Sequence, residues 1–151
     1  MPSKDALRTS ICNNAALRRA ARRLGQLYDD ALADSGLKAT QGTLLVHVQI
    51  LGEPTLRALA DELVMDLSAL SHTLKPLVRD GLIKIVPDGK DARAKRVTLT
   101  AAGRSKLELT LKLWTEAHER FEKVLGPERA SKLRDTLDVI ASPDFAKAFE
   151  G

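Results

Sequence analysis

Cysteine is nearly absent from this chain of 151 residues: Cys12 is the only one, which excludes an intrachain disulfide framework and fits a reducing compartment. Aromatic residues are scarce, with one Trp, one Tyr and three Phe, so a core must be assembled from Leu, Val, Ile and Ala on helices. Long apolar runs are missing too. The longest, residues 44–51, is interrupted by His47 and Gln49 and cannot span a bilayer, and no secretory signal is visible, so the expected location is the cytoplasm. Enzyme signatures are absent: no nucleophile elbow, zinc-protease helix, phosphate loop or dinucleotide-binding glycine motif occurs. No catalytic residue and no cofactor are therefore expected. His47, His72 and His118 are too scattered to suggest metal-ligand spacing, and no metal is expected either. There are no internal repeats, and the length suits one domain with its own core.

What the chain does have is positive charge with an uneven distribution. The formal net charge is +4 and the pI about 9.4, which permits an anionic partner. Cations gather in 18–23 and in 75–96, whereas acids are spread along the helices. The second cluster lies in the most informative stretch, residues 54–103. Thr55 can cap a first helix whose Leu56, Leu59, Ala60 and Leu63 fall on one face. Val64, Met65 and Asp66 then make a turn, with Asp66 as N-cap of a second helix bearing Leu67, Leu70, Leu74, Leu77 and Val78. The opposite face of that helix carries Ser68, Ala69, Ser71, His72, Lys75 and Arg79. Small polar side chains beside two cations suit a helix lying in a DNA major groove. Pro76 within it predicts a kink.

After Gly81 the period changes. Leu82, Ile83, Ile85 and Val86 predict one strand, and Val97 and Leu99, alternating with Arg96, Thr98 and Thr100, predict its partner. The loop between, residues 87–95, is a turn by its Pro, Asp and Gly content, and residues 90–96 hold four cations and one acid. A cationic hairpin beside a groove-sized helix is the layout of a winged helix-turn-helix.

At these residues a resemblance is specific. Asp80-Gly81-Leu82-Ile83, then Asp91 through Thr100 and Gly103, resembles the signature of MarR-family transcription regulators, and Leu37 to Gln41 is similar to the start of that family's second helix. Arg93 matches the family arginine that enters the minor groove, and Asp91 the acid that helps hold the wing tip. Two positions depart: Ala92 stands where the family usually has Arg, and Gly42 where it commonly has a bulky apolar residue. The resemblance implies a mostly α fold with a small β-hairpin wing. Residues 1–36 and 104–151 would form a helical dimerisation region, and 37–103 the winged helix-turn-helix.

The rest of the chain agrees with that division. Residues 1–9 read as a frayed lead-in and 10–34 as a helix, with Leu17, Ala21, Leu24, Tyr28 and Ala31 on one stripe. On another stripe Arg18, Arg19, Arg22 and Arg23 are either a solvated face or phosphate contacts. Gly36 ends this segment, and Thr40 is the expected cap of the next helix, which carries Leu44, Leu45, Val48 and Leu51. Thr100 caps a long helix over 101–125, with Leu107, Leu111, Trp114, His118, Phe121 and Leu125 on a near-heptad stripe. Pro127 starts a last helix with Ala130, Leu133, Leu137 and Ile140 on one face. Ser142-Pro143 ends it and leaves Phe145 and Phe149 on a short tail. Two terminal helices with unpartnered apolar stripes predict a homodimer.

The expected DNA-binding residues are thus Ser68, Ser71 and His72 for base edges, Lys75, Arg79 and Lys95 for phosphates and Arg93 for the minor groove, with Ala69, Lys90 and Asp91 in the same interface. The expected partner is a pseudo-palindromic duplex. The resemblance further implies a small aromatic or acyl effector lodged between the dimerisation helices and the reader, with Cys12, Tyr28, Gly42, Leu45 and Trp114 as candidate lining and ligand release as the mode of control. Two alternatives stand beside this. Cys12, with Tyr28 as a neighbour, could sense oxidants as first-helix cysteines do in some members of that family, or be an inert small residue. The wing could instead grip an acidic protein and not nucleic acid.

Overall fold

In the computed structural model, which describes residues 1–9 and 12–151, helix α3 (Ala39–Leu51) is the hub, because Leu44, Leu45 and Val48 leave almost no surface to solvent. Against it pack α4 (Leu56–Glu62) and α5 (Leu67–Arg79), which contribute Leu59, Leu70, Leu74 and Leu77, each wholly buried. Burying a leucine is worth about 1.5–3 kcal/mol, so these few side chains hold the three helices together. The first residues of α4 and α5 are set by local caps as expected: the Thr55 hydroxyl accepts from Ala58 N–H at 3.1 Å and Asp66 Oδ1 from Ala69 N–H at 2.7 Å. Leu67 and Val78 flank the buried face and stay 38% and 41% exposed, so the apolar stripe of α5 is narrower than its sequence suggested. The helix runs through Pro76 to Arg79.

The hairpin pairs β1 (Ile83–Pro87) with β2 (Lys95–Leu99) antiparallel, Ile83 opposite Leu99 and Pro87 opposite Lys95. Ile83 and Val97 point into the core. A third short segment joins the sheet at Thr55, which bridges Arg96, while Val97 N–H donates to the Pro54 carbonyl at 2.9 Å. The wing stem is thereby tied to the start of α4.

Thr100 then fixes the exit from the wing. Its hydroxyl donates to the Gly81 carbonyl at 2.6 Å and accepts from Gly103 N–H at 2.9 Å, capping α6 (Ala101–Leu125) against the turn after α5. The approach is so close that a Cβ on Gly103 would sit 1.9 Å from the Leu82 carbonyl oxygen. Only glycine fits there.

Around this unit lie α1 (Lys4–Thr9), α2 (Asn13–Ala31), a 3-10 turn over Ala33–Ser35, α6, α7 (Pro127–Ala141) and α8 (Pro143–Glu150). Four expectations need correction. The lead-in holds a helical turn, α1, with Ser3 Oγ accepting from Ala6 N–H. The first long helix starts at Asn13 with Cys12 as its N-cap, and the expected start at Ser10 lies outside the described residues. Thr40 is not the cap of α3: Ala39 N–H donates to Asp29 Oδ1 of α2 at 2.7 Å and Lys38 N–H to Gln41 Oε1 at 3.0 Å. The tail after Ser142 is helical, because Ser142 accepts from Phe145 N–H and Pro143 takes the first helical position.

Candidate nucleic-acid interface

With Leu70, Leu74 and Leu77 of α5 turned inward, Ser68, Ala69, Ser71, His72, Lys75 and Arg79 are all exposed on the other side. This follows from the 3.6-residue period alone. Thr73, adjacent in sequence, is drawn back onto its own helix, its hydroxyl donating to the Ala69 carbonyl at 2.8 Å. Arg79 Nε donates to Asp80 Oδ1 at 3.1 Å with both side chains mostly exposed, a pair that is weak in water and that an anion could outcompete.

The wing tip is organised by its acids. Asp91 Oδ1 accepts from Arg93 N–H at 3.0 Å, and Asp88 N–H and Ala94 N–H donate to the carbonyls of Ala94 and Asp91. The four cations of residues 90–96 do not share one role. Arg96 turns back into the body: its Nε donates to Asp88 Oδ1 at 2.6 Å and its Nη1 to the Glu53 carbonyl at 2.7 Å. That hydrogen bond holds the Asp88 carboxyl below the usual carboxylate range. Lys90, Arg93 and Lys95 are exposed and make no ion pair among the described residues.

Helix α5 and the wing meet at a cleft of about 460 Å³, lined by Leu67 and Ser71 of α5, by Asp91, Arg93, Ala94 and Lys95 of the wing, and by Thr55, Leu56 and Arg57. Four residues singled out in the sequence, Ser71, Asp91, Arg93 and Lys95, are therefore neighbours. Arg57 was not anticipated. Its offset from the Leu56, Leu59 and Ala60 stripe marked it as solvent-facing, and no local signal said which surface it would face.

The five candidate effector residues are not brought together. Gly42 and Trp114 line one cavity of about 230 Å³ with Leu32, Val46, His47 and Thr110. Gly42 also lets α3 approach α6, since a Cβ there would meet Thr110 Cγ2 at 3.0 Å. Tyr28 lines a second cavity of about 420 Å³ with Leu24, Leu27 and Phe121, and burial pushes its phenol up against the opposing pull of Arg134. Leu45 lies wholly in the core and lines neither. Cys12 is exposed at the start of α2, where its Sγ accepts from Ala15 N–H at 3.4 Å. It is no neighbour of Tyr28 within one chain, because sixteen helical residues separate them by about 24 Å. Arg18, Arg19, Arg22 and Arg23 are exposed and unpaired by any acid among the described residues. Trp114 stacks on His118 with ring centroids 4.9 Å apart, and Glu122 links His118 at 3.4 Å to Arg134 of α7 at 3.1 Å.

Among the described residues no group of three His, Cys, Asp or Glu side chains could hold a metal ion, and no helix is long and apolar enough to cross a membrane. The MarR family model matches residues 35–94. Among solved structures, the transcriptional regulator MosR of M. tuberculosis, crystallised with DNA, is 33% identical; the match covers 91% of this chain and 98% of that one at a TM-score of 0.79. A mutant MarR from E. coli complexed with operator DNA is 23% identical over 84% of this chain and 91% of that one, with a TM-score of 0.76. The transcriptional repressor CouR, bound to a 23-mer DNA duplex, is 24% identical over 94% of this chain and all of its own, with a TM-score of 0.80. A search of curated protein sequences finds no significant match.

Proposed function

The chain belongs to the MarR family of transcription regulators, and from that premise we propose that it acts as a homodimer binding a pseudo-palindromic site in double-stranded DNA. The observation that carries this reading is the exposed row Ser68, Ser71, His72 and Lys75 standing beside a wing whose Lys90, Arg93 and Lys95 side chains make no ion pair among the described residues. Ser68, Ala69, Ser71 and His72 would meet base edges, Lys75 and Arg79 phosphates, and Arg93 the minor groove, with Asp91 holding its backbone in place. The division into a reader over 37–103 and a dimerisation frame over 1–36 and 104–151 has support in exposure. Val124 is 88%, Val139 60% and Phe149 83% exposed in the single chain, more apolar surface than a lone subunit keeps without purpose.

Selection of bound sequences from random duplexes tests the reading. It should return an inverted repeat with half-sites about 10 bp apart, one turn of the helix. Arg93→Ala should weaken binding and lower the slope of log affinity against log salt by about one per subunit. No enrichment, with the protein a monomer at micromolar concentration, would overturn it.

Control by a small aromatic or acyl ligand, releasing a repressed promoter, is part of the proposal. The apolar cavities at Trp114 and at Tyr28 give such a ligand a place, and a shift of the two readers requires only that it bind one spacing better than the other. Trp114, the only tryptophan, lets its fluorescence report occupancy of the smaller cavity. A second reading, redox control through Cys12, draws on the exposure of that thiol at a helix start. Unchanged DNA affinity with Cys12 fully oxidised would end it.

A further inference from the structure

We propose that Arg57 of α4, with Lys95 of the wing and beside Arg93, forms a seat for a backbone phosphate of the DNA duplex, distinct from the base-reading row on α5. This rests on the DNA-binding reading above and adds to it a third element, the helix before the reader. The cleft that Arg57, Arg93 and Lys95 share holds one acid, Asp91, and one of its carboxylate oxygens already accepts from Arg93 N–H. The three cations make no ion pair among the described residues, and Arg57 donates no hydrogen bond to any of them. The contrast is Arg96, one residue beyond Lys95, which is tied to Asp88 and to the Glu53 carbonyl. One arginine of this surface is used to build the wing, and three cations face one cleft that holds a single acid, Asp91, with which none of them forms an ion pair. Like charges held together repel, and an anion placed among them relieves that repulsion.

The position of the cleft selects the anion. It lies between the helix expected in the major groove and the wing expected in the adjacent minor groove, and the strand that separates two grooves presents its phosphates there. Ser71, on the same wall, can donate to that phosphate or to a base edge. A planar guanidinium is suited to gripping phosphate oxygens in pairs, which an ammonium cannot do. Arg57 therefore adds affinity and register while carrying no sequence information.

The test measures binding of the full-length protein, by fluorescence anisotropy, to its selected duplex and to a random duplex between about 50 and 200 mM salt. Arg57→Ala should weaken both duplexes by the same factor. Its salt slope should fall by about 2 for the dimer, one per subunit, so affinity lost across that range becomes about tenfold smaller than in the wild type. Arg57→Lys should keep most of the slope. Thermal melting should not move, because Arg57 is exposed and makes no ion pair among the described residues. A wild-type protein that binds while Arg57→Ala keeps the full slope and affinity overturns the proposal. So does a change in the ratio of selected to random binding, which would make Arg57 a base reader, or a titration in which Arg57 takes up inorganic phosphate yet contributes nothing on duplex. Absence of binding by the wild type to every duplex overturns the function reading beneath it as well.

Discussion

Residues 37–103, proposed above as the reader, and the terminal helices, proposed as the frame, use the same leucine-rich alphabet to opposite effect. In the reader, Leu45, Leu59, Leu70, Leu74 and Leu77 are wholly buried in one cluster that also takes in Leu107 of α6, so a single chain covers most of this apolar surface. In the frame, α2 and α8 bury no residue at all, and Val124, Val139 and Phe149 stand largely in solvent. Amphipathic helices of equal quality therefore end differently, according to whether a facing surface exists within the chain. The first region finds its cover within the chain, α6 included. The second leaves apolar side chains that the single chain does not cover.

The largest effect should come from breaking the reader where it meets α6. Gly103→Ala forces a methyl group into the Leu82 carbonyl, backbone against backbone, and should cost about 3 kcal/mol or more in denaturant unfolding. Stability within about 0.5 kcal/mol of wild type would refute that role. In the frame, Val124→Glu together with Val139→Glu should leave the melting of the reader intact while moving the protein from dimer to monomer in sedimentation. Duplex affinity should fall by about 100-fold or more, because two half-sites are then no longer engaged together. A double variant that remains dimeric would place the interface elsewhere.

A smaller effect should appear at the wing stem. Arg96 holds the Asp88 carboxyl below its ordinary value, so the stabilisation is present at neutral pH and above the unfolded carboxylate value of about 4. It is lost as pH falls through the lower folded value. Asp88→Asn should remove this step from the acid limb of the stability curve and loosen the wing, seen as faster amide exchange at Val97. An unaltered acid limb would show that the pair does not hold the stem. The smallest change, and the only stabilising one, is expected in the turn between α4 and α5, where Val64 sits at φ 52° with its side chain 70% exposed. A β-branched residue is strained there, and Val64→Gly should raise stability by about 0.5–1 kcal/mol after its own entropic cost.

Much of the reader was legible because its signals are local. Thr55, Asp66 and Thr100 each cap a helix through a bond to a backbone N–H three residues on, a relation written in the sequence at short range. Where the partner lies further off, the reading failed. Thr40 was the natural cap for α3, but Asp29, on another helix and ten residues before the Ala39 N–H it accepts from, does that work. Ser142-Pro143 carries a stop and a start at once, since the same pair that ends α7 caps α8. The candidate effector residues came apart for a related reason. Tyr28 and Trp114 both lie on amphipathic helices, and which cavity each lines depends on the neighbour that α2 or α6 faces.

Periodicity, caps and turn residues are properties of a few consecutive positions, so the chain's order of amino acids was enough to set α4, α5, α6 and α7, the hairpin and the exposed row on α5. The division of labour among its arginines was not readable in that way. Arg57, Arg93 and Arg96 are chemically identical, and only the folded arrangement of carboxylates, carbonyls and open space around each guanidinium turned one inward to brace the wing and the other two toward a common cleft.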